Sequence, residues 1–413
     1  MNDGPSVPVG IDAAGVYCGS AGVDVGDVFA LRDLDTARLA NLGMRHKGVA
    51  GAGEDVVAIA ATAARPVVDA LSERERAAVR TVVVATESAV DLSKSAAAQV
   101  HRLLDLPRQC RLFEVKQACY GGVAALRLAT SLVRTEPGST ALVIAADVPV
   151  PAPSTYMEPS QGVGAVAALV AENPRMLSMD EGPAGCYSYE TPDFFRPRGD
   201  VDVMDTDLSL MSYLDCLVGS FADYADRNPG ADLLRSFDLL AMHTPFPGMV
   251  RGAHRSAMRK LTDLERGGDR EDFERRVAQS LRLPEQVGNI YAATTLLAML
   301  SAIAYAPSDD ELRMGVFSYG SGCSSEFFGA RVLPGARSRL AGLGLGDEFE
   351  ARTRLSAEEY DAALAAMSEI GFGAMQAKTD PERLAGWGRG DRPRAVLTEI
   401  HDYRREYTWL SPR

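Results

Sequence analysis

The chain has 413 residues, 46% hydrophobic and 24% charged, which is ordinary globular composition and enough to fill a large core across two halves. A net charge of −13 argues against nucleic acid as a general partner, and six scattered cysteines with no CxxC pair argue against a zinc site or a disulfide scaffold. The cysteine usage and the lack of a basic-then-apolar leader predict reduced thiols in the cytoplasm. The longest apolar run, residues 290–306, is too short and too rich in small and hydroxyl residues for a membrane span.

In chain order, residues 8–19 predict an opening strand. DLDTARLANLGMRHKGV predicts a helix with a Gly-rich end, and EDVVAIAATAARPVVDAL an amphipathic helix with acidic residues in its first turn. VRTVVVATES (79–88) reads as a buried strand that delivers Thr86, Glu87 and Ser88 at its carboxyl end, and SKSAAAQVHRLLDL as the helix after it. Arg111 to Val115 is the next strand. After a polar step, Lys116–Gln117–Ala118, and the pair Gly121–Gly122 comes an Ala/Leu/Val-rich helix. Cys119 sits where strand gives way to helix. Free N–H groups and the positive helix dipole there predict a lowered thiol pKa and a nucleophile, against the alternative of a buried core cysteine. TALVIAADV (140–148) and GVGAVAALVAE (162–172) read as further strands. The alternation predicts a largely parallel sheet covered on both faces, with ligands beyond the carboxyl ends of its strands.

The second half opens with a turn-rich, aromatic stretch, residues 173–205, of the kind that walls an active site. A helix follows, then a strand over 237–250 broken by two prolines, with His243 at its carboxyl end. In the basic helix MVRGAHRSAMRKL, Arg251, Arg255 and Arg259 share one face at i, i+4 and i+8, with His254 and Lys260 beside it. Residues 270–306 read as helical with a break at PEQVGN, 314–333 as two strands around a Gly/Ser turn, and the last eighty residues as charged and helical.

The segments VVVATES, EVKQACYGG, HTPF, PEQVGNIY and SYGSG occur in an order that resembles the hydroxymethylglutaryl-CoA synthase family, from about residue 8 to the end. The resemblance implies an α/β thiolase fold: two related βαβ-rich halves, residues 1–172 and 173–413, in a five-layer αβαβα sandwich, paired as a homodimer. HTPFPGMVRGAHRSAMRK and IHDYRREYTW resemble the branch of the family that adds a β-carbon branch to polyketides held on acyl carrier proteins. Pro247 stands where a small residue is expected, and Arg251 where lysine is common. The alternative is a mevalonate-pathway synthase acting on coenzyme A thioesters.

On this resemblance Cys119 accepts an acetyl or similar acyl group, and Glu87 is the base on its methyl. His243 polarises the acceptor ketone. Asn289, Tyr319 and Ser321 line the acceptor site. Arg32, Arg251, His254, Arg255 and Arg259 would meet the phosphopantetheine or an acidic helix of a donor or acceptor carrier protein. No metal or bound cofactor is expected beyond the phosphopantetheine, or coenzyme A, that carries the substrates.

Overall fold

The computed structural model describes residues 7–198, 201–265, 267–342, 345–381, 385–388 and 392–411. Nine strands form the spine: β1 Val9–Tyr17, β2 Val79–Ala85, β3 Arg111–Val115, β4 Thr140–Asp147, β5 Gly164–Glu172, β6 Leu177–Met179, β7 Leu239–Met242, β8 Leu312–Gly320 and β9 Ser324–Val332. They lie in one sheet in the order β7-β8-β9-β6-β1-β5-β4-β2-β3, and the short strand Gly185–Ser188 adds to β9. Around the β6–β1 junction the order is mirrored: β7-β8-β9-β6 on one side answers β2-β4-β5-β1 on the other.

The sheet is mixed rather than largely parallel. β2 runs parallel to β3 and β4, and β7 to β8, but β5 is antiparallel to β4 and β1, and β9 to β8. The short β8–β9 link has no room for a crossover helix, so that turn reverses the chain, whereas β5 and β6 both run antiparallel to β1.

Side-chain alternation separates five layers. On β2, Val83 and Ala85 face a central core, whereas Val82 and Val84 face the opposite side. On β7, Leu239 and Ala241 join the same central core while Leu240 and Met242 face outward. Helices α1 Val56–Asp69 and α2 Ala96–Leu103 cover the outer face of the first half. Helices α4 Thr206–Arg227 and α5 Pro247–Leu261 cover that of the second. Between the halves lie α3 Gly121–Thr135 and α6 Thr294–Ala304. Flanked by sheets on both sides, α6 has no solvent face, and every residue from Thr294 to Ile303 is buried.

Two local expectations fail. Residues 33–49 hold a 3-10 turn, Thr36–Arg38, a single helical turn, Leu39–Leu42, and a strand, His46–Val49, in place of one helix. The last part of the chain is not mainly helical. Arg394–His401 and Arg404–Leu410 form an antiparallel hairpin against α1, held by Ala395 N to Thr62 Oγ1 at 3.0 Å and by Arg405 and Tyr407 on Asp55. Its β-branched and aromatic residues fit a sheet that is buried on one side only.

Candidate active site

Glu87 follows β2, and Asp147 ends the neighbouring parallel strand β4. Asp147 is fully buried and organises the loop above it. Its Oδ1 accepts from Thr86 Oγ1 at 3.0 Å, Glu87 N at 2.7 Å and Ser88 Oγ at 2.8 Å, and its Oδ2 accepts from Ala292 N at 3.0 Å. One carboxylate thus joins the Glu87 loop of the first half to the IYAA turn of the second. Arg196, bonded to Asp202, donates to the Glu87 carbonyl at 2.9 Å and lies over the Tyr291 ring. The sequence reading passed over Asp147 and Arg196. Position at the end of a buried strand was the available signal for Asp147, the same signal that marked Glu87.

Cys119 lies in the turn between β3 and α3, on a backbone bent at Ala118 (φ 45°). A non-glycine residue with positive φ stores strain, which folds retain where a side chain must be aimed. The Gly121 N–H closes the turn onto Ala118 O at 3.0 Å. Gly122 is required by packing, since a Cβ there would lie 2.1 Å from Ala292 O. From the other side, a Cβ at Gly320 in SYGSG would lie 2.6 Å from both Gln117 O and Tyr120 N. The two loops are therefore in main-chain contact.

The expectation of a lowered thiol pKa is overturned. Burial pushes the Cys119 thiol well above its ordinary value, and the neighbouring Glu87 and Asp147 carboxyls add to the rise, Arg196 opposing it. The helix begins two residues later, and the cost of burying a thiolate outweighs its dipole. Glu87 is raised to about 8, first by burial and then by Asp147, while Arg196 and the Cys119 hydrogen bond pull it down. Its residue surface is partly open, but Oε1 itself is sealed from solvent and unpartnered. The pair rests as a neutral thiol facing a proton-retaining carboxyl.

His243 follows β7, with its N–H on Phe317 O at 2.8 Å and its carbonyl accepting from Tyr213 OH at 2.7 Å. Burial lowers the imidazole to about 3, so the ring is neutral, and Nδ1 is buried without a partner. Gln161 Oε1 is likewise buried and unpartnered, while its Nε2 donates to Tyr291 OH at 2.7 Å. Orphaned buried polar atoms are rare in folded proteins and mark ligand sites.

Asn289 uses Oδ1 to accept from Tyr291 N at 3.0 Å and Thr294 Oγ1 at 2.8 Å, so it caps the turn into α6 and leaves only Nδ2 for a ligand. Ser321 is partly exposed in the loop whose Gly322 N–H donates to Asp193 Oδ1 at 2.8 Å. The Tyr319 hydroxyl is taken by buried Asp193, and its ring lies 6.4 Å from that of His243. Tyr319 is thus a strut beside His243 and not a free donor to substrate.

Two carrier-contact expectations are corrected. Arg32 is held between Glu158 and Asp361 with its side chain 10% exposed, so its charge is spent inside the fold. His254 points inward, 2% exposed, and bonds Asp272 Oδ2 at 2.8 Å. Val250, His254 and Met258 form the buried stripe next to the arginine stripe, and both follow the same i, i+4, i+8 spacing. Arg251, Arg255 and Arg259 are exposed as expected; Arg251 pairs with Glu274 at 3.2 Å and Arg255 with Asp269 at 3.4 Å.

Family models for the N-terminal and C-terminal parts of hydroxymethylglutaryl-coenzyme A synthase match residues 6–174 and 259–408. The chain is 42% identical to the polyketide biosynthesis 3-hydroxy-3-methylglutaryl-ACP synthase PksG of Bacillus subtilis, over 98% of this chain and 100% of that one. It is 32% identical to a hydroxymethylglutaryl-CoA synthase of Enterococcus faecalis, over 86% and 91%. The crystal structure of the curacin biosynthetic pathway HMG synthase superposes with a TM-score of 0.93 at 40% identity, covering 98% of this chain and all of that one; it has also been solved in complex with acetyl donor-ACP. A strand-end carboxyl, thiol and imidazole on a thiolase-like fold and these matches lead to one conclusion: the chain belongs to the hydroxymethylglutaryl-coenzyme A synthase family.

Proposed function

We propose that this protein is a carrier-protein-dependent HMG synthase of polyketide β-branching. The observation that carries the reading is the buried, neutral Cys119 thiol held against the Glu87 carboxyl under Asp147. The preference for carrier protein over coenzyme A rests on full-length similarity to the PksG and curacin enzymes, which exceeds that to mevalonate-type synthases. The six free cysteines support a cytoplasmic setting. The mirrored strand order supports two related halves meeting near residues 172–173.

In this reading Cys119 Sγ attacks the acetyl thioester of the donor carrier. The minority of molecules in which Glu87 is ionised carry this step: its carboxylate takes the thiol proton and hands it to the departing pantetheine sulfur, leaving acetyl-Cys119, ionised Glu87 and a free carrier thiol. Glu87 next removes a proton from the acetyl methyl, a task suited to a carboxyl of raised pKa. The enolate carbon attacks the β-ketone of the acceptor, and Glu87 returns its proton to the new alkoxide. Neutral His243 hydrogen-bonds the acceptor carbonyl and strengthens that bond as charge develops on oxygen. Water then cleaves the Cys119 thioester, regenerating the thiol and leaving a 3-hydroxy-3-carboxymethyl branch on the carrier-bound chain. The Arg251, Arg255 and Arg259 stripe is a candidate contact for an acidic carrier helix.

The test is to incubate the protein with acetyl-carrier protein and, separately, with acetyl-coenzyme A, and to follow intact mass and the modified peptide. Rapid acetylation of Cys119 from the carrier alone is the expected result. Efficient loading from coenzyme A would transfer the assignment to a mevalonate-type synthase.

A further inference from the structure

The acceptor ketone in the proposed reaction has two arms. One leads through its thioester to the carrier protein; the other is the rest of the polyketide, which needs its own way out of a buried site. A cleft of ≈ 140 Å³ starts at Glu87 and Ser88 and opens to the surface between the loop 148–150 and the residues 367–372 that end the C-terminal helical segment. Arg196 and Asp202 line it together with Glu87, so it adjoins the site at the base itself.

Two properties of the cleft narrow what it can hold. Its ionised groups are already paired, Arg196 with Asp202, Arg405 with Asp55 at 2.9 Å and Glu54 with Arg394 at 3.6 Å, and Glu87 is the protonated base itself. No charge is left over to recruit an ion. The remaining wall is apolar, from Val90, Val150, Met367, Ile370 and Phe372. Val150 and Phe372, 45% and 49% exposed, form a greasy rim. Exposed apolar side chains around a concave opening mark ligand contact, and an opening at the surface lets a chain longer than the cleft run on into solvent.

We infer that this cleft takes the acyl chain beyond the β-carbon of the acceptor, and that Val150 and Ile370 set which chains are accepted. This rests on the proposed function and deepens it. The cleft holds an uncharged hydrocarbon or polyether-like chain, whereas the thioester arm leaves on the side of Cys119. A methyl ketone such as acetoacetyl ends at the carbon beside the ketone and has no chain to place in the cleft.

The experiment compares acetoacetyl-carrier protein with 3-oxodecanoyl-carrier protein as acceptors for the acetyl-loaded enzyme, in the native protein and in Ile370→Trp and Val150→Trp. The readout is the ratio of kcat/KM for the long acceptor over the short one. A fall in that ratio on the order of tenfold or more is expected, the scale of discrimination that a blocked apolar pocket imposes. Ile370→Ala, which removes volume, is expected to leave the ratio equal or raise it, and keeps the test informative if a tryptophan variant misfolds. An unchanged ratio in a folded tryptophan variant, or an equal loss for both acceptors, would overturn the assignment. Acetylation of Cys119 from the donor carrier is scored in the same samples, so failure of the parent reading is seen separately as absent loading of the native enzyme.

Discussion

At the scale of single residues, the site is governed by desolvation. A carboxyl raised from 4.5 to about 8 keeps its proton in the folded chain over a range in which the unfolded chain has lost it. Its contribution to stability is complete below about pH 4.5 and is withdrawn as pH climbs through about 8. Glu87→Gln keeps the neutral form permanently. Its stability advantage over the native chain is therefore expected to grow between about pH 5 and pH 8.5, to the order of 1 kcal/mol or more. Urea midpoints at the two pH values measure it, and a difference that does not change with pH would mean the carboxyl is not held neutral. Glu87, Cys119 and His243 were legible in the sequence because each follows an apolar strand and sits in a long family-like segment. The protonation of Cys119 was not legible. It depends first on burial and next on Glu87, with a smaller push from Asp147, twenty-eight positions away in the chain; a lone aspartate after a strand looks like a solvated loop residue until the sheet places it under Glu87.

At the scale of elements, the contact between the cysteine turn and SYGSG is main chain on main chain. Gly320→Ala would drive a Cβ into Gln117 O and Tyr120 N, neither of which is the end of a flexible side chain. Overpacking of this kind costs about 1–3 kcal/mol and here displaces the nucleophile. Acetylation of Cys119 by acetyl-carrier protein is expected to slow at least about tenfold, read from intact mass in a single turnover; a native rate would show that the loops can part freely. The helix α5 shows where periodicity reads well and where it stops. It put the three arginines on one exposed face, but His254 lies at the border of that face, and only the packing of Asp272 and Arg276 turns it inward. Likewise, nothing in the spacing of Arg32 announces that Glu158 and Asp361, far along the chain, will claim it.

For the whole molecule, the alternation of strand and helix was enough to give an α/β sheet with strand-end chemistry. Its mixed direction and the C-terminal hairpin were not, because both depend on which strands become neighbours. β3 ends the sheet, and its Leu112, Phe113 and Val115 are only partly buried. An apolar edge strand leaves unpaired N–H and C=O groups and invites a second copy. A homodimer joined through β3 is therefore expected, and light scattering on the purified protein should give twice the chain mass. A monomer mass that persists on concentrating the sample would refute it.

Asp147 has one further consequence, which concerns recombination. The second half answers this carboxylate with the backbone N–H of Ala292, not with a side chain. Any non-proline residue supplies the same donor, so the joint between the halves leaves no signature in residue identity. Relatives can therefore diverge on either side of it, or exchange whole halves, and still close the same hydrogen bond. What such a hybrid must preserve is the close approach of main chain at Gly122, where a single added carbon would collide with the Ala292 carbonyl.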